Sequence, residues 1–311
     1  MQPSSTRERV AVAAAAFSAG LGGVTIAATR LLVASSDPIT INAVRFGVAF
    51  LLLLAAAVTL RVPWPRREDW FSVSLLGVLA FVVFSLLFVA AMQFTISARA
   101  GLAFSTMPLQ TMIIAAAFGV QRLTLRRSLG VLIAIGGVAV ALVAGLEGAP
   151  PGAWRGDLIM VAAVLVMSAY VVLSRPLIVR CHPLAFLTVG MGAGEAILLG
   201  LAVASGGFSS LADYGPAQWL AMAFLAVGGG AAMFILWVFA LGRTGPTQAA
   251  VSVGVNPIMA AITGALMLGE PIGPNLLIGL AGVFAGLWLA TSEGRRTQKV
   301  APPGSPRRAH D

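Results

Sequence analysis

The chain has 311 residues, 59% of them hydrophobic and 10% charged, with a formal net charge of +9. A soluble domain carries roughly 25% charged residues, so these charges are too few to coat a globule of this size, and the lipid bilayer is left as the solvent. The basic excess is spread through short gaps between apolar runs without interleaved aromatics, which excludes a nucleic-acid platform, and a lone Cys181 beside only His182 and His310 excludes disulfide frameworks and Cys/His metal sites.

In chain order, Arg7 and Arg9 precede an apolar run that has the look of a signal peptide. The run is about 20 residues long and more follow, so it is expected to be an uncleaved first span. Apolar windows bounded by charge, Pro or Gly predict spans near 10–30, 39–60, 71–92, 99–119 and 127–146. A Gly/Pro-rich connector, Gly145 to Gly156, comes next. Further spans are predicted near 157–175, 184–205, 217–241, 246–268 and 272–291. The tail from Ser292 to Asp311 carries Pro302, Pro303 and Pro306 without apolar periodicity and is expected to be disordered.

These windows predict an all-α integral membrane protein of ten transmembrane helices. Its parts are a tail over 1–9, five helices over 10–146, a connector over 147–156, five helices over 157–291 and a second tail over 292–311. With the N-terminus in the cytoplasm, sixteen basic residues fall on the inner side. Only Arg30, Arg99 and Arg155 fall outside, and Arg45 lies within a span. That bias follows the rule that basic loops stay cytoplasmic and predicts a multi-pass protein of the cytoplasmic membrane with both termini in the cytoplasm.

Sliding the chain by 149 positions aligns Ala91 with Ala240, Thr95 with Thr244, Pro108 with Pro257, Gly130 with Gly279 and Gly137 with Gly286. Two copies of an odd number of spans enter the membrane in opposite senses, so the repeats are expected to be inverted. Inverted copies can exchange inward- and outward-open states around a shared midplane site, which is the logic of alternating access.

The segment Trp237 to Ala249, continuing through Asn256-Pro257 to Gly269-Glu270-Pro271 and Gly279, resembles the EamA-type branch of the drug/metabolite transporter superfamily. Its first-half counterpart, Ala90 to Thr95 through Met107-Pro108 to Gly130, is similar, and Arg155-Gly156-Asp157-Leu158 looks like the start of the second repeat. The resemblance implies ten helices in two EamA domains, cytoplasmic termini and movement of small metabolites or drugs, commonly outward. Two positions depart from the family pattern. Val120-Gln121-Arg122 stands where relatives have an acid, and Phe17-Ser18-Ala19-Gly20 where many carry a tryptophan.

Ionisable groups inside spans are costly and mark either pathways or bundle-fixing contacts. Arg45 is such a group, read either as an anion-recognising residue or as a structural one bonded to carbonyls or an acid. Glu195 is the acid deepest in a span and the candidate for proton coupling, unless it pairs with Arg45. Pro108 and Pro257 break matching spans and free backbone carbonyls, which points to a central cavity. Gln93, Arg99, Gln110, Gln248 and Asn256 lie near these breaks, and Tyr170 and Trp237 are candidate walls. Glu270 is expected to cap the tenth span or to stabilise another helix end. Gly279, Gly282 and Gly286 form a small-residue stripe on the tenth span, with Gly130 and Gly137 as its partner on the fifth.

No Gly-x-x-x-x-Gly-Lys-Ser/Thr motif is present, so a solute or ion gradient, protons among the candidates, is expected to supply the energy. The sequence predicts a small-molecule substrate, a lipid-bilayer partner and no cofactor, and leaves the oligomeric state open. The competing readings are an integral-membrane enzyme acting on a lipid or isoprenoid, which would need clustered Asp, His or Cys, and a membrane scaffold that transports nothing.

Overall fold

The computed structural model of the chain describes residues 6–120, 124–146, 148–243 and 254–291, and every regular element among them is helical. Helix α1 covers Thr6–Leu32 and α2 Pro38–Thr59. Helix α3, Arg67–Gly77, runs through a π-helical stretch, Val78–Phe84, into α4, Ser85–Met92. Helices α5, Ser97–Phe104, and α6, Met107–Ala117, follow each other across a break, and α7 covers Leu125–Ala144.

In the second half α8 covers Ala153–Arg180 and α9 Pro183–Ser205. A short 3₁₀ segment, Gly207–Asp213, leads to α10, Pro216–Ala226, a second π-helical stretch, Val227–Ala232, and α11, Met233–Leu241. Helices α12, Val255–Leu268, and α13, Pro274–Thr291, close the described chain.

Eight of these rods are long and apolar enough to cross a membrane, counting 67–92, 97–117 and 216–241 as one rod each. Helix α12 and the segment Pro274–Gly286 are apolar but shorter. The expected ninth span, 246–268, begins outside the described residues.

The helix ends have local causes. Asp37 caps α2 by accepting from the backbone N–H of Ile39 at 2.9 Å and of Thr40 at 3.0 Å, and from the Thr40 hydroxyl at 2.7 Å. Pro38, Pro183 and Pro216 each sit in a first turn, where a missing N–H costs nothing. Pro108 likewise starts α6 rather than kinking a continuous helix, and Pro257 stands in the first turn of α12.

The 149-residue register extends well beyond the segment in which it is legible as identities. Arg67 and Pro216 open the third rod of each half 149 positions apart, Val78 and Val227 open the two π-helical stretches, and Leu125 and Pro274 open α7 and α13. The halves interlock. Helix α1 packs on α11 and α12, α2 and α3 on α9, α4 and α6 on α8, α5 on α8 and α12, and α7 on α13.

Glycine makes the closest of these approaches possible. A Cβ on Gly137 would lie 2.9 Å from the Cα of Gly282, and one on Gly286 would run into the Gly130 carbonyl, so the small-residue stripes of α7 and α13 face each other. Gly77 and Gly190 bring α3 and α9 together in the same way.

Candidate functional site

Between the halves lies a cavity of about 70 Å³, room for a few water molecules. Its wall is built of residues that match in the repeat register. Phe84 and Met233, Ser85 and Phe234, Phe88 and Trp237, Met107 and Asn256, and Ser18 and Met167 all line it, each pair 149 positions apart. The cavity therefore sits where equivalent surfaces of the two halves meet. The pairing is incomplete: α1 also contributes Ala19, Gly22, Thr25 and Ile26, whereas α8 gives Met167 alone, and Arg45 of α2 and Phe104 of α5 line the cavity as well.

Both π-helical stretches abut this wall. A π-helix shifts its hydrogen bonds by one residue, and side chains donate to a carbonyl of each stretch here. The Ser85 hydroxyl donates to the Phe81 carbonyl, and Arg45 Nη2 donates to the Gly229 carbonyl at 3.0 Å. Gly229 and Gly230 let that stretch approach α1 and α2: a Cβ on Gly229 would lie 2.5 Å from the Thr25 hydroxyl oxygen, and one on Gly230 2.8 Å from the Ala49 Cβ. Phe46, Phe81 and Phe234 pack edge to face beneath the site, with ring centres 5.1 to 6.2 Å apart.

Arg45 is 3% exposed, and its guanidinium lies 4.8 Å from the Phe46 ring centre. Its Nε has no hydrogen-bond partner. Thr25, Trp237 and Asn256 line the same cavity, and Thr25 Oγ1, Trp237 Nε1 and Asn256 Oδ1 are likewise buried without partners. Buried polar groups are almost always bonded, so four orphans around one hollow make it the candidate site.

A family model described as the EamA-like transporter family matches residues 9–143 and 154–292. This chain belongs to that family. The EamA relatives include a "Probable terminal-alkyne amino-acid exporter" of Streptantibioticus cattleyicolor, 28% identical and covering 83% of this chain and 86% of that protein. An uncharacterized protein of Pseudomonas aeruginosa is 31% identical over 85% of this chain and 88% of its own length. An uncharacterized transporter of Archaeoglobus fulgidus is 24% identical over 83% and 89%. A solved crystal structure at 20% identity superimposes with a TM-score of 0.67, covering 94% of this chain and 99% of that one, and it shows the fold alone. The protein is thus a two-repeat, all-helical, multi-pass membrane transporter.

Within this EamA fold the cavity gathers three of the sequence candidates, Arg45, Trp237 and Asn256. Glu195 lies elsewhere. It is buried on α9 against Gly47 of α2, its Oε2 has no partner, and it forms no ion pair with Arg45. In the repeat register it is the counterpart of Phe46, one position beyond Arg45. Tyr170 is fully buried with its hydroxyl unpaired but does not line the cavity. Gln93 is exposed at the end of α4, and Gln248 lies outside the described residues.

Arg99 and Gln110 border a separate cleft of about 690 Å³ between α6, α7 and α8. Arg99 is buried in a short ion pair with Asp157, donates to the Leu142 carbonyl at 2.8 Å, and shares Asp157 with the Thr95 hydroxyl at 3.0 Å. Glu270 does hold a helix end, but that end belongs to α5 and not to the tenth span. Its Oε2 accepts from the Ser97 backbone N–H at 2.8 Å, and Arg30 approaches at 3.8 Å. The physical reason is that Ser97 carries an unsatisfied first-turn N–H facing the α12–α13 connection.

The sequence reading missed Thr25, Ser18 and the aromatic and Met wall. For Phe88 and Met107 the signal was available in the repeat, as the register partners of Trp237 and Asn256; Thr25 and Ser18 had none.

Proposed function

We propose that the chain is an exporter of a small organic solute in the cytoplasmic membrane, working by alternating access and driven by a gradient. In this reading ten helices form two inverted repeats, over 10–146 and 157–291, joined by the connector 147–156, and the tails 1–9 and 292–311 lie in the cytoplasm with both termini. The observation that carries the reading is the cavity walled by register-matched residues of both halves. A site of that kind can be exposed first by one half and then by the other. The exporter name of the Streptantibioticus relative supports the outward direction, and the charge bias supports the orientation.

Glu195 is the proposed coupling site for protons. It is a buried carboxyl with an unpartnered oxygen at the α2–α9 interface, beside the helix that carries Arg45. The test is metabolite profiling of overexpressing cells, followed by flux of the identified solute in proteoliposomes. A solute accumulating in the medium and crossing vesicles without ATP is expected. Glu195→Gln is expected to abolish the response of that flux to a pH gradient while leaving counterflow exchange. Vesicles that move nothing overturn the transport reading, and an unchanged pH response removes Glu195 from coupling.

A further inference from the structure

The cavity specifies more than a small solute. Its described lining holds one guanidinium, Arg45, and no carboxylate. Arg45 is anchored on one side by the Gly229 carbonyl, which orients the planar group and leaves its Nε without a partner. Such an edge is built to meet a planar anion, because guanidinium donors match the two oxygens of a carboxylate.

The other orphans agree. Trp237 Nε1 can only donate, and the Thr25 hydroxyl can donate and makes none of the bonds to its own helix that a buried threonine ordinarily makes. Asn256 adds an unpaired amide oxygen, an acceptor for a single neutral donor. All four residues are more than nine-tenths buried. Most of the remaining wall is apolar, with Phe84 and Phe88 on one half and Phe234 and Met233 on the other, beside the Ser18 and Ser85 hydroxyls that donate to the Met233 and Phe81 carbonyls.

We infer that the transported solute is an amphipathic organic monoanion, a carboxylate with an aromatic or branched apolar body, whose carboxylate binds Arg45, Thr25 and Trp237. This rests on the proposed transport function and names its substrate class. Nothing in the described lining offers a cationic group an ion partner, so an ammonium-bearing solute of the same shape leaves its charge uncompensated in a buried site. The present cavity is smaller than a typical ligand pocket. Loading therefore parts the walls, for which the flexible Met107, Met167 and Met233 and the two π-helical stretches are suited.

The experiment uses the full chain in lipid nanodiscs and three probes that share a ring and chain but differ in charge: 3-phenylpropionate, phenylalanine and phenethylamine. Binding is read by calorimetry. The acid is expected to bind at least about tenfold more tightly than the amine, with phenylalanine between them. Arg45→Gln is expected to erase the preference and Arg45→Lys to keep its order.

Equal binding of all three, preference for the amine, binding by none, or undiminished acid binding by folded Arg45→Gln protein each overturns the inference. If Arg45→Gln does not fold, the probe series on the unaltered chain still decides, and Trp237→Phe, which keeps the ring but loses the donor, is expected to weaken the acid alone. The two proposals fail separately. A protein that moves other solutes but shows no preference for the acid refutes the charge assignment, and one that binds the acid yet moves nothing across vesicles refutes transport.

Discussion

At the scale of single residues, polar side chains here act chiefly on backbone groups that the helices themselves leave unpaired. Asp37 is the clearest case outside the spans. Burial pushes its carboxyl up, but the bonds from the Thr40 hydroxyl and from the Thr40 and Ile39 amides outweigh that and leave it below the usual aspartate value. A depressed carboxylate gives stability that is present above its unfolded pKa, near 3.8, and lost as the pH falls through the lower folded value. Asp37→Ala is expected to cost about 1 kcal/mol at neutral pH and to blunt the loss of stability below about pH 4. Thermal unfolding in detergent from pH 7 to pH 3 checks both, and an acid limb identical in the two proteins would count against the cap.

This cap was readable in advance, since an acid before Pro38 is an ordinary helix start. The environment of Arg45 was only half readable. Its position in a span announced a compensated charge, yet the compensator is a carbonyl within a π-helical stretch 184 positions away, and no local pattern encodes that contact.

At the scale of elements, hydropathy windows located the rods well, because a bilayer demands about 20 apolar residues per crossing. The break between α5 and α6 was legible through Pro108. The π-helical stretches were not, since Val78–Phe84 and Val227–Ala232 have the same apolar composition as the helices around them. Helix contacts through glycine were legible as stripes, and they carry a sharp expectation for α7 and α13. A Cβ on Gly282 would lie 2.8 Å from the Cα of Gly137. That neighbour has no side chain to yield, so Gly282→Ala forces the helices apart at a cost of about 1 to 3 kcal/mol. Gly136, next to Gly137, faces open space, and Gly136→Ala is expected to be neutral or to stabilise by up to about 1 kcal/mol. Melting temperatures of the two variants in the same detergent separate contact from composition, and similar shifts for both would refute the close approach.

At the scale of the molecule, the contacts between the halves are unequal at the two ends of the bundle. One end carries the Arg99–Asp157 pair with Thr95, the Glu270 contacts to Ser97 and Arg30, and the Ser36, Ser210 and Tyr214 hydroxyls within 2.8 Å of one another in series. The other end has Arg180 on Asp69 at 2.6 Å, with the arginine side chain 60% exposed. Asp157 and Arg180 lie at opposite ends of α8, about 35 Å apart at ~1.5 Å per residue. A pair buried on both sides is costly to break, and one whose arginine stands in solvent is less so, even with Asp69 itself buried. The Asp157 end is therefore the one expected to stay shut in this conformation, while the Arg180 end opens readily. Cys181 is the chain's only cysteine, so Ser18→Cys in a Cys181→Ser background places a single thiol on the cavity wall. A membrane-impermeant maleimide is expected to reach it faster from the Arg180 side of oriented vesicles. Asp157→Asn strips Arg99 of its charge partner and is expected to raise labelling from the opposite side several-fold, whereas Asp69→Asn should alter it little. Labelling that is equal from both sides and indifferent to Asp157 would mean that these bonds hold the bundle together without controlling access to its centre.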